Sequence, residues 1–523
     1  MMATAWSVAL VGLDGRLVEV EAHIGGGLPR TVLVGLPDAA LYEARDRCKA
    51  AVSTADVGWP TTLLTINLSP ATLPKTGSHY DLAIVAAVLA ADTEFRSAEL
   101  VDTVLLGELG LDGRVRPVRG ILPAVLTAAQ HDFRRVIVPR RQAGEARLVE
   151  GIEVFGVDSL RQLLALLRHE PVPDEPPARP VGASAGPPAD RGLGAPSRLG
   201  AVDLADVAGQ EEAKWALEVA AAGRHHVFFH GPPGVGKTML AERLPTLLPD
   251  LEPAEALEVS AIHSLAGLDL GDGLVRRPPY ADPHHSASMP AVIGGGPRMA
   301  RPGAISVAHR GVLFLDEAPE FSTAVLEALR TPLESGEVFL TRSVVQTRYP
   351  ARFQLVLAAN PCPCGRFGTP GADCRCPPMA VRRYAHRLSD PIRDRIDLAQ
   401  TFRPQRRTRV RHELIGGESS AVVAARVAEA RQRQARRLRG TGWRCNGEVP
   451  GPYLRRQLPL PDGLDAVDDA LDRGMLSPRG VDKVLRIAWT VADLAGTDRP
   501  HSDHVAIALA MRRGEPSPAG AGR

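Results

Sequence analysis

Lysine is almost absent from this 523-residue chain, and arginine stands in its place nearly everywhere. No apolar run reaches the roughly 18–20 residues that a bilayer-spanning helix needs, which argues against a transmembrane helix. The stretch Met1–Val11 lacks a basic segment followed by a long apolar one, so no secretory leader is expected. The cytoplasm is the expected compartment, with no membrane partner. Cysteine is scarce, with six residues in all, too few for a disulfide-stapled secreted scaffold. Net charge is close to balanced at +2 and by itself names no partner.

The distribution of charge says more. From Arg375 to Arg444 there are 18 arginines, no lysine and 6 acidic residues. Such a block can meet phosphates or form a solvated helical surface. Four of the six cysteines, Cys362, Cys364, Cys374 and Cys376, fall within fifteen residues. In a reducing compartment that clustering points to metal before disulfides.

Between Pro171 and Pro196 eight prolines stand among Ala, Gly and Ser. Such a stretch cannot bury a core and reads as a connector. It divides the chain into residues 1–168, a domain mixing β-type runs with helical stretches such as Leu82–Ala91, a linker over 169–200, and a second half. In that half, 201–402 alternates strand-like and helical segments, 403–515 is arginine-rich and helical, and 516–523 is a disordered tail. Val481, Val484, Leu485, Ala488, Val491 and Ala492 form an apolar stripe at helical spacing.

Gly231-Pro232-Pro233-Gly234-Val235-Gly236-Lys237-Thr238 matches G-x-x-x-x-G-K-[ST] in full. Glycines let backbone N–H groups wrap phosphates, and the following helix adds positive potential. ATP is therefore the expected ligand, with Lys237 on the β- and γ-phosphates and Thr238 on Mg²⁺. About 80 residues later four apolar residues lead into Asp316-Glu317. Asp316 is expected to hold Mg²⁺ and Glu317 to polarise the attacking water. Asn360 ends the next strand, where an amide can orient that water. The cysteine pattern C-x-C, nine residues, C-x-C offers four thiolates to a structural Zn²⁺.

These motifs carry a resemblance. Loop, acidic strand and Asn360 look like an AAA+ ATPase. Pro283-His284-His285, Gly294-Gly295-Gly296, the segment Pro302–His309, Asn360–Gly365 and Asp394-Arg395-Ile396-Asp397 resemble the magnesium-chelatase-like group, and together the ComM/YifB family. The fold implied is α/β: an AAA+ P-loop domain with a helical lid, akin to the magnesium-chelatase C-terminal domain. A Lon-protease-like α+β domain, of the ribosomal S5 domain 2 type, precedes it. The resemblance implies a homo-hexameric ring with ATP sites between subunits. It puts Arg395 at the arginine finger and Arg479 at the lid arginine called sensor 2. Asp390 and Arg393 depart from the family's usual Gly and aliphatic residue. His284 and His285 recur in the family and are read as structural histidines.

The Lon-like segment places His79 at the nucleophile position and Leu122 at the lysine position, with Ser78 and Lys75 one register off, so no protease is expected. Two insertions are candidates for a DNA-facing pore. One is a hairpin over Glu337–Arg348 with Arg342 at its tip, and the other is Ser286–Arg301, carrying Arg298 and Arg301. The function implied is ATP-driven movement on single-stranded or branched DNA, as in branch migration during natural transformation. The alternatives are a magnesium-chelatase motor subunit and an ATP-switched scaffold.

Overall fold

The computed structural model describes residues 1–35, 39–73, 75, 77–175, 202–271, 273–296, 300–342, 345–368, 373–403 and 417–516. Pro74, Thr76, Arg298 and the linker from 176 to 201 lie outside them. The N-terminal domain is built on a seven-stranded mixed sheet. From edge to edge its strands are Arg30–Val34, Leu63–Ser69, Asp14–Gly25, Met2–Val11, Thr103–Leu105, Arg135–Pro139 and Glu153–Val157. The central hairpin pairs Met2 with His23 through to Val11 with Asp14. Helix Asp81–Ala91 has no polar residue after Asp81, and every one of its residues is buried. Asp81 is carried inside on Arg47, whose Nε lies 3.0 Å from Oδ2. Burial still pushes that carboxyl up to about 6 against the pull of Arg47.

The second half holds a five-stranded parallel sheet in the order Tyr280–Ala281, Val312–Leu315, Gln354–Ala359, Val227–His230, Leu398–Thr401. Val312–Leu315 and Gln354–Ala359 are buried throughout, as strands covered on both faces must be. Val227–His230 lies between two strands that come later in the chain. What leaves its carboxyl end therefore sits in the crevice where ligands of open α/β sheets bind.

Helices Ser420–Arg437, Pro478–Ala495 and Ser502–Arg513 share the sheet's core, beside a small cluster of their own around Trp489 and Leu454. Val423, Val427, Val484, Ile487 and Val505 share one apolar cluster with Val227, Phe229, Val356 and Leu398 of the sheet. Some arginines of the block tie these helices to the sheet half and to one another. Arg426 forks onto Glu218 at 2.6 and 2.9 Å and also reaches Glu418. Arg437 grips Asp493 at 2.7 Å while lying 4.3 Å over the Trp489 ring. Arg431 donates to Ala221 O. Planar, always-charged guanidinium suits such bidentate and stacked contacts. Arg406, Arg407, Arg409 and Arg411 lie outside the described residues.

The deepest of these contacts is ionic. Asp397, at the start of the last strand, accepts from Lys483 Nζ at 2.9 Å and from His226 N at 2.8 Å. Lys483 also donates to Ile396 O at 3.1 Å. Both side chains are buried. Burial works against each charge. For Asp397 the opposing pull of Lys483, with His225 and His226, prevails and holds the carboxyl well below its usual range.

The two domains meet along helices Ile121–Gln130 and Pro253–Ala266. Gly120 N donates to Ser264 O at 3.2 Å, and Leu122 N to Glu145 Oε1 at 3.0 Å and Ser264 Oγ at 3.4 Å. At the other end of this seam Gly12, at φ +68°, lies against the hairpin that pairs Glu337–Arg342 with Val345–Pro350. A Cβ there would stand 2.9 Å from Thr347 Cγ2 and 3.0 Å from Arg348 O.

Removing one partner of a buried pair strands the other's charge, so Asp397→Asn should cost about 3–5 kcal/mol at neutral pH, read by urea or thermal unfolding. Because the folded-state pKa of Asp397 is depressed, its contribution is present above the unfolded value of about 3.9. It is lost as pH falls through the lower folded value, so the gap between wild type and variant should close below about pH 4.

Candidate functional site

The phosphate loop runs from the carboxyl end of Val227–His230 to helix Lys237–Leu247. Gly234 and Gly236 take φ +79° and +94°, where a side chain would strain the backbone. Gly231 is required for another reason: a Cβ there would lie 2.7 Å from Phe402 Cβ and 2.9 Å from Phe402 O. Lys237 Nζ crosses beneath the loop, donating to Gly231 O at 2.6 Å, Pro232 O at 2.9 Å and Asn360 Oδ1 at 3.0 Å. Burial lowers its pKa, opposed by Asp316 and Glu317. Gln210, which the motif search did not single out, steadies the loop from outside, with Nε2 3.2 Å from Val235 O.

The acidic pair lies directly opposite. Thr238 Oγ1 donates to Asp316 Oδ2 at 2.7 Å, and Asp316 Oδ1 accepts from Glu317 N at 2.8 Å. One hydroxyl and one carboxylate oxygen thus face the same point, the hard oxygen donor set that a magnesium ion takes. Glu317 has φ +49°, an uncommon conformation for a residue with a side chain, and such positions cluster at functional sites.

His285 lies beside this acidic pair. Its Nδ1 is 3.3 Å from Glu317 Oε2, and the two side chains are 35% and 47% exposed. His284 stacks beside it with ring centroids 4.1 Å apart and has Nδ1 2.7 Å from Ser286 Oγ. The Pro283-His284-His285 motif was visible in the sequence, but its meeting with Glu317 depends on the pairing of Tyr280–Ala281 beside Val312–Leu315.

The structure therefore brings Lys237, Thr238, Asp316, Glu317 and Asn360 together, and among the described hydrogen bonds none joins the two arginines to them. Arg395 donates to Pro391 O at 2.6 Å and pairs with Glu334, leaving its side chain 13% exposed. Arg479 is exposed at the second residue of helix Pro478–Ala495, one turn before Lys483. Asp390, the departure from the family pattern, opens the short helix Asp390–Arg393, where a carboxylate complements unpaired N–H groups.

The four thiols also converge. Cys362 Sγ lies 3.3 Å from Cys364 Sγ and 3.8 Å from Cys374 Sγ, with Cys364 and Cys374 3.6 Å apart. All four sulfurs, Cys376 included, fall within 4.8 Å of one another. A disulfide would need about 2.05 Å, whereas zinc–sulfur bonds of about 2.3 Å set the corners of a tetrahedron about 3.8 Å apart. Phe367 N donates to Cys362 Sγ at 3.3 Å, as backbone amides do for a thiolate. The cluster could bind zinc.

Of the candidate DNA contacts, Arg301 is exposed. The hairpin pairing continues through Arg342 opposite Val345, beyond the tip expected at Thr341–Ser343. Ser343 and Val344 lie outside the described residues. Tyr349 Oη donates to Ala300 O at 2.6 Å, so the two insertions pack as one unit.

Three family models match in chain order: Subunit ChlI of Mg-chelatase over residues 20–142, Magnesium chelatase, subunit ChlI over 203–410, and Magnesium chelatase, subunit ChlI C-terminal over 417–512. Competence protein ComM of Haemophilus influenzae is 38% identical across 98% of this chain and 97% of its own length. YifB of Escherichia coli, itself uncharacterized, is 40% identical across 96% of each. An uncharacterized protein of Mycobacterium tuberculosis is 53% identical across 98% of this chain and 99% of its own length. The chain belongs to the ComM/YifB family. Membership in this magnesium-chelatase-like AAA+ group implies an ATPase that takes ATP and Mg²⁺. Among the described residues of this ComM/YifB protein, no helix is long and apolar enough to cross a membrane.

If His285 positions Glu317, His285→Ala should lower the ATP turnover rate by about tenfold with nucleotide affinity unchanged, and His285→Gln should restore part of the rate. Parallel loss of affinity and rate would instead mark His285 as a part of the loop's scaffold.

Proposed function

We infer that this chain is an ATP-driven motor that remodels DNA as a ring of six copies, moving on single-stranded or branched DNA as in the branch migration of natural transformation. The observation that carries this reading is the meeting of Lys237, Thr238, Asp316, Glu317 and Asn360 at the carboxyl ends of one parallel sheet. The full-length likeness to a protein named for competence points the chemistry toward DNA.

The backbone of Gly231–Thr238 and the Lys237 ammonium would hold the phosphates of ATP. Thr238 and Asp316 would hold magnesium, which neutralises phosphate charge when bound. Glu317 accepts the proton of the attacking water, and Asn360 orients that water while keeping Lys237 in place. The finger role suits Arg395 only if its guanidinium leaves Glu334 for a neighbouring copy, and Arg479 would approach the phosphates from the helical side. Arg342, Arg298 and Arg301, carried on two insertions that pack together, would grip the DNA backbone. The four-cysteine knot would hold structural zinc, and the chain would work in the cytoplasm.

The N-terminal domain is Lon-like and not proteolytic on this reading. His79 is half-buried against Val8 O at 3.0 Å, and loss of water around it lowers it to about 4, keeping it neutral. Leu122 is buried. The shifted dyad fares no better: Lys75 Nζ is spent on the carbonyls of Gly35 and Pro70, and Ser78 on Glu108. A magnesium-chelatase motor subunit and an ATP-switched scaffold are the rival readings.

ATP hydrolysis measured with and without single-stranded and branched DNA separates them. The wild type should be stimulated by DNA, and Lys237→Ala and Glu317→Gln should each lose at least about a hundredfold in rate. Turnover indifferent to DNA, with no DNA binding, would sink the motor reading.

A further inference from the structure

The cysteine knot is joined to the nucleotide site at three places. The first is covalent: Cys362, fully buried, lies two residues after Asn360, whose amide oxygen accepts from Lys237 Nζ at 3.0 Å. The second is packing. Gly365, which follows Cys364 at φ +75° and donates its N–H to Cys362 O at 2.9 Å, is buried against the phosphate loop, and a Cβ there would stand 2.5 Å from Pro233 Cδ and 3.0 Å from Pro233 Cγ. The third follows the knot, where Cys376-Pro377 leads into helix Pro378–Ala385. On that helix the buried Tyr384 comes back beside Asn360.

Pro233 is itself exposed on its other side. It follows Pro232 and precedes Gly234, which takes φ +79° and beside which a Cβ would meet nothing within 4 Å. A loop containing two left-handed glycines has no intrinsic rigidity, so whatever presses on Pro233 helps fix where its N–H groups point. In this molecule that is the Gly365 backbone, and what fixes Gly365 is the sulfur cluster on either side of it. Three of the sulfurs lie 3.3 to 3.8 Å apart and Cys376 within 4.8 Å of them, and as thiolates they would repel unless a cation joined them.

We propose that the four-cysteine knot is a metal-loaded buttress of the phosphate loop, so that zinc occupancy sets nucleotide affinity. This rests on the reading of the knot as a zinc site. It adds that the metal acts on the ATP site through Gly365–Pro233 and through Asn360, rather than merely stapling an exposed loop. It also explains why the knot is placed between the strand end that carries Asn360 and the helix that carries Tyr384.

The test uses the full-length protein. Zinc content is measured on the purified chain. Affinity for a fluorescent magnesium–ADP analogue is then measured before and after zinc removal by a chelator, and again after zinc is restored. Hydrogen exchange is followed in the same samples over Gly231–Leu240 and over helix Pro478–Ala495. Zinc removal should weaken nucleotide binding by about tenfold and raise exchange in the loop but not in the helix, and added zinc should reverse both. Gly365→Ala should weaken binding to a similar degree while retaining zinc. Purified protein without zinc would overturn the metal reading and this proposal with it. Zinc present, but removable with affinity and loop exchange unchanged, would overturn the buttress alone. A rise in exchange across both segments would overturn it as well, since the metal would then be holding the whole fold.

Discussion

The contact on which the second half of the molecule depends is the buried pair of Asp397 and Lys483. Asp397 stands where the last strand joins the sheet, and Lys483 comes from a helix eighty-six residues later in the chain. Two charges taken from water must satisfy one another and their remaining hydrogen-bonding capacity, or the cost is several kcal/mol. Here they do so through His226 N and Ile396 O, which locks the register of helix Pro478–Ala495 against the strand. The apolar cluster that runs unbroken from Phe229 to Val505 then leaves the helices little freedom to open as a separate lid.

The economy of lysine follows the same logic. The chain has Lys49, Lys75, Lys214, Lys237 and Lys483, and the last four are buried. An ammonium is a compact charge on a flexible stem and can donate in three directions within a narrow space, as Lys237 does to two carbonyls and an amide. Arginine cannot fit that role and takes the planar ones instead, at Glu218, Asp493 and Glu334. The arginine block from 375 to 444, open in the sequence between phosphate binding and solvated surface, is in its described part mostly exposed, with Arg426, Arg431 and Arg437 serving as staples.

What could be read from the sequence was what is local. The phosphate loop and its flanking strand and helix declare themselves because glycine, lysine and a strand-to-helix switch are fixed by adjacent residues, and the buried parallel strands show as unbroken apolar runs. Helix Asp81–Ala91 and the apolar stripe of Pro478–Ala495 were visible for the same reason. The opposite holds for what arises across the fold. His285 reaches Glu317 only because two strands pair, Gln210 reaches Val235 across 25 residues, and Glu334 reaches Arg395 across 61. No spacing rule reports those meetings. The hairpin expected over Glu337–Arg348 is present, with its pairing carried one or two residues further toward the turn, to Arg342 opposite Val345, because alternation alone does not mark where short strands turn.

Between Asn360 and Asp397 the chain is one strap held at both ends. At its start Asn360 is tied to Lys237 of the phosphate loop, and at its end Asp397 is tied to Lys483 of the helical half. The cysteine knot, the Tyr384 helix and Arg395 are strung between. A shift at the phosphates that moved Asn360 could be absorbed only within the strap, because its far end is fixed by a buried charge. Arg395 is two residues from that fixed end and is held by Glu334, which is 63% exposed on its other side. Glu334 has solvent to retreat into, whereas Lys483, the partner of Asp397, is buried. Movement of the strap would therefore be expected to break the Arg395–Glu334 pair before it disturbed Asp397.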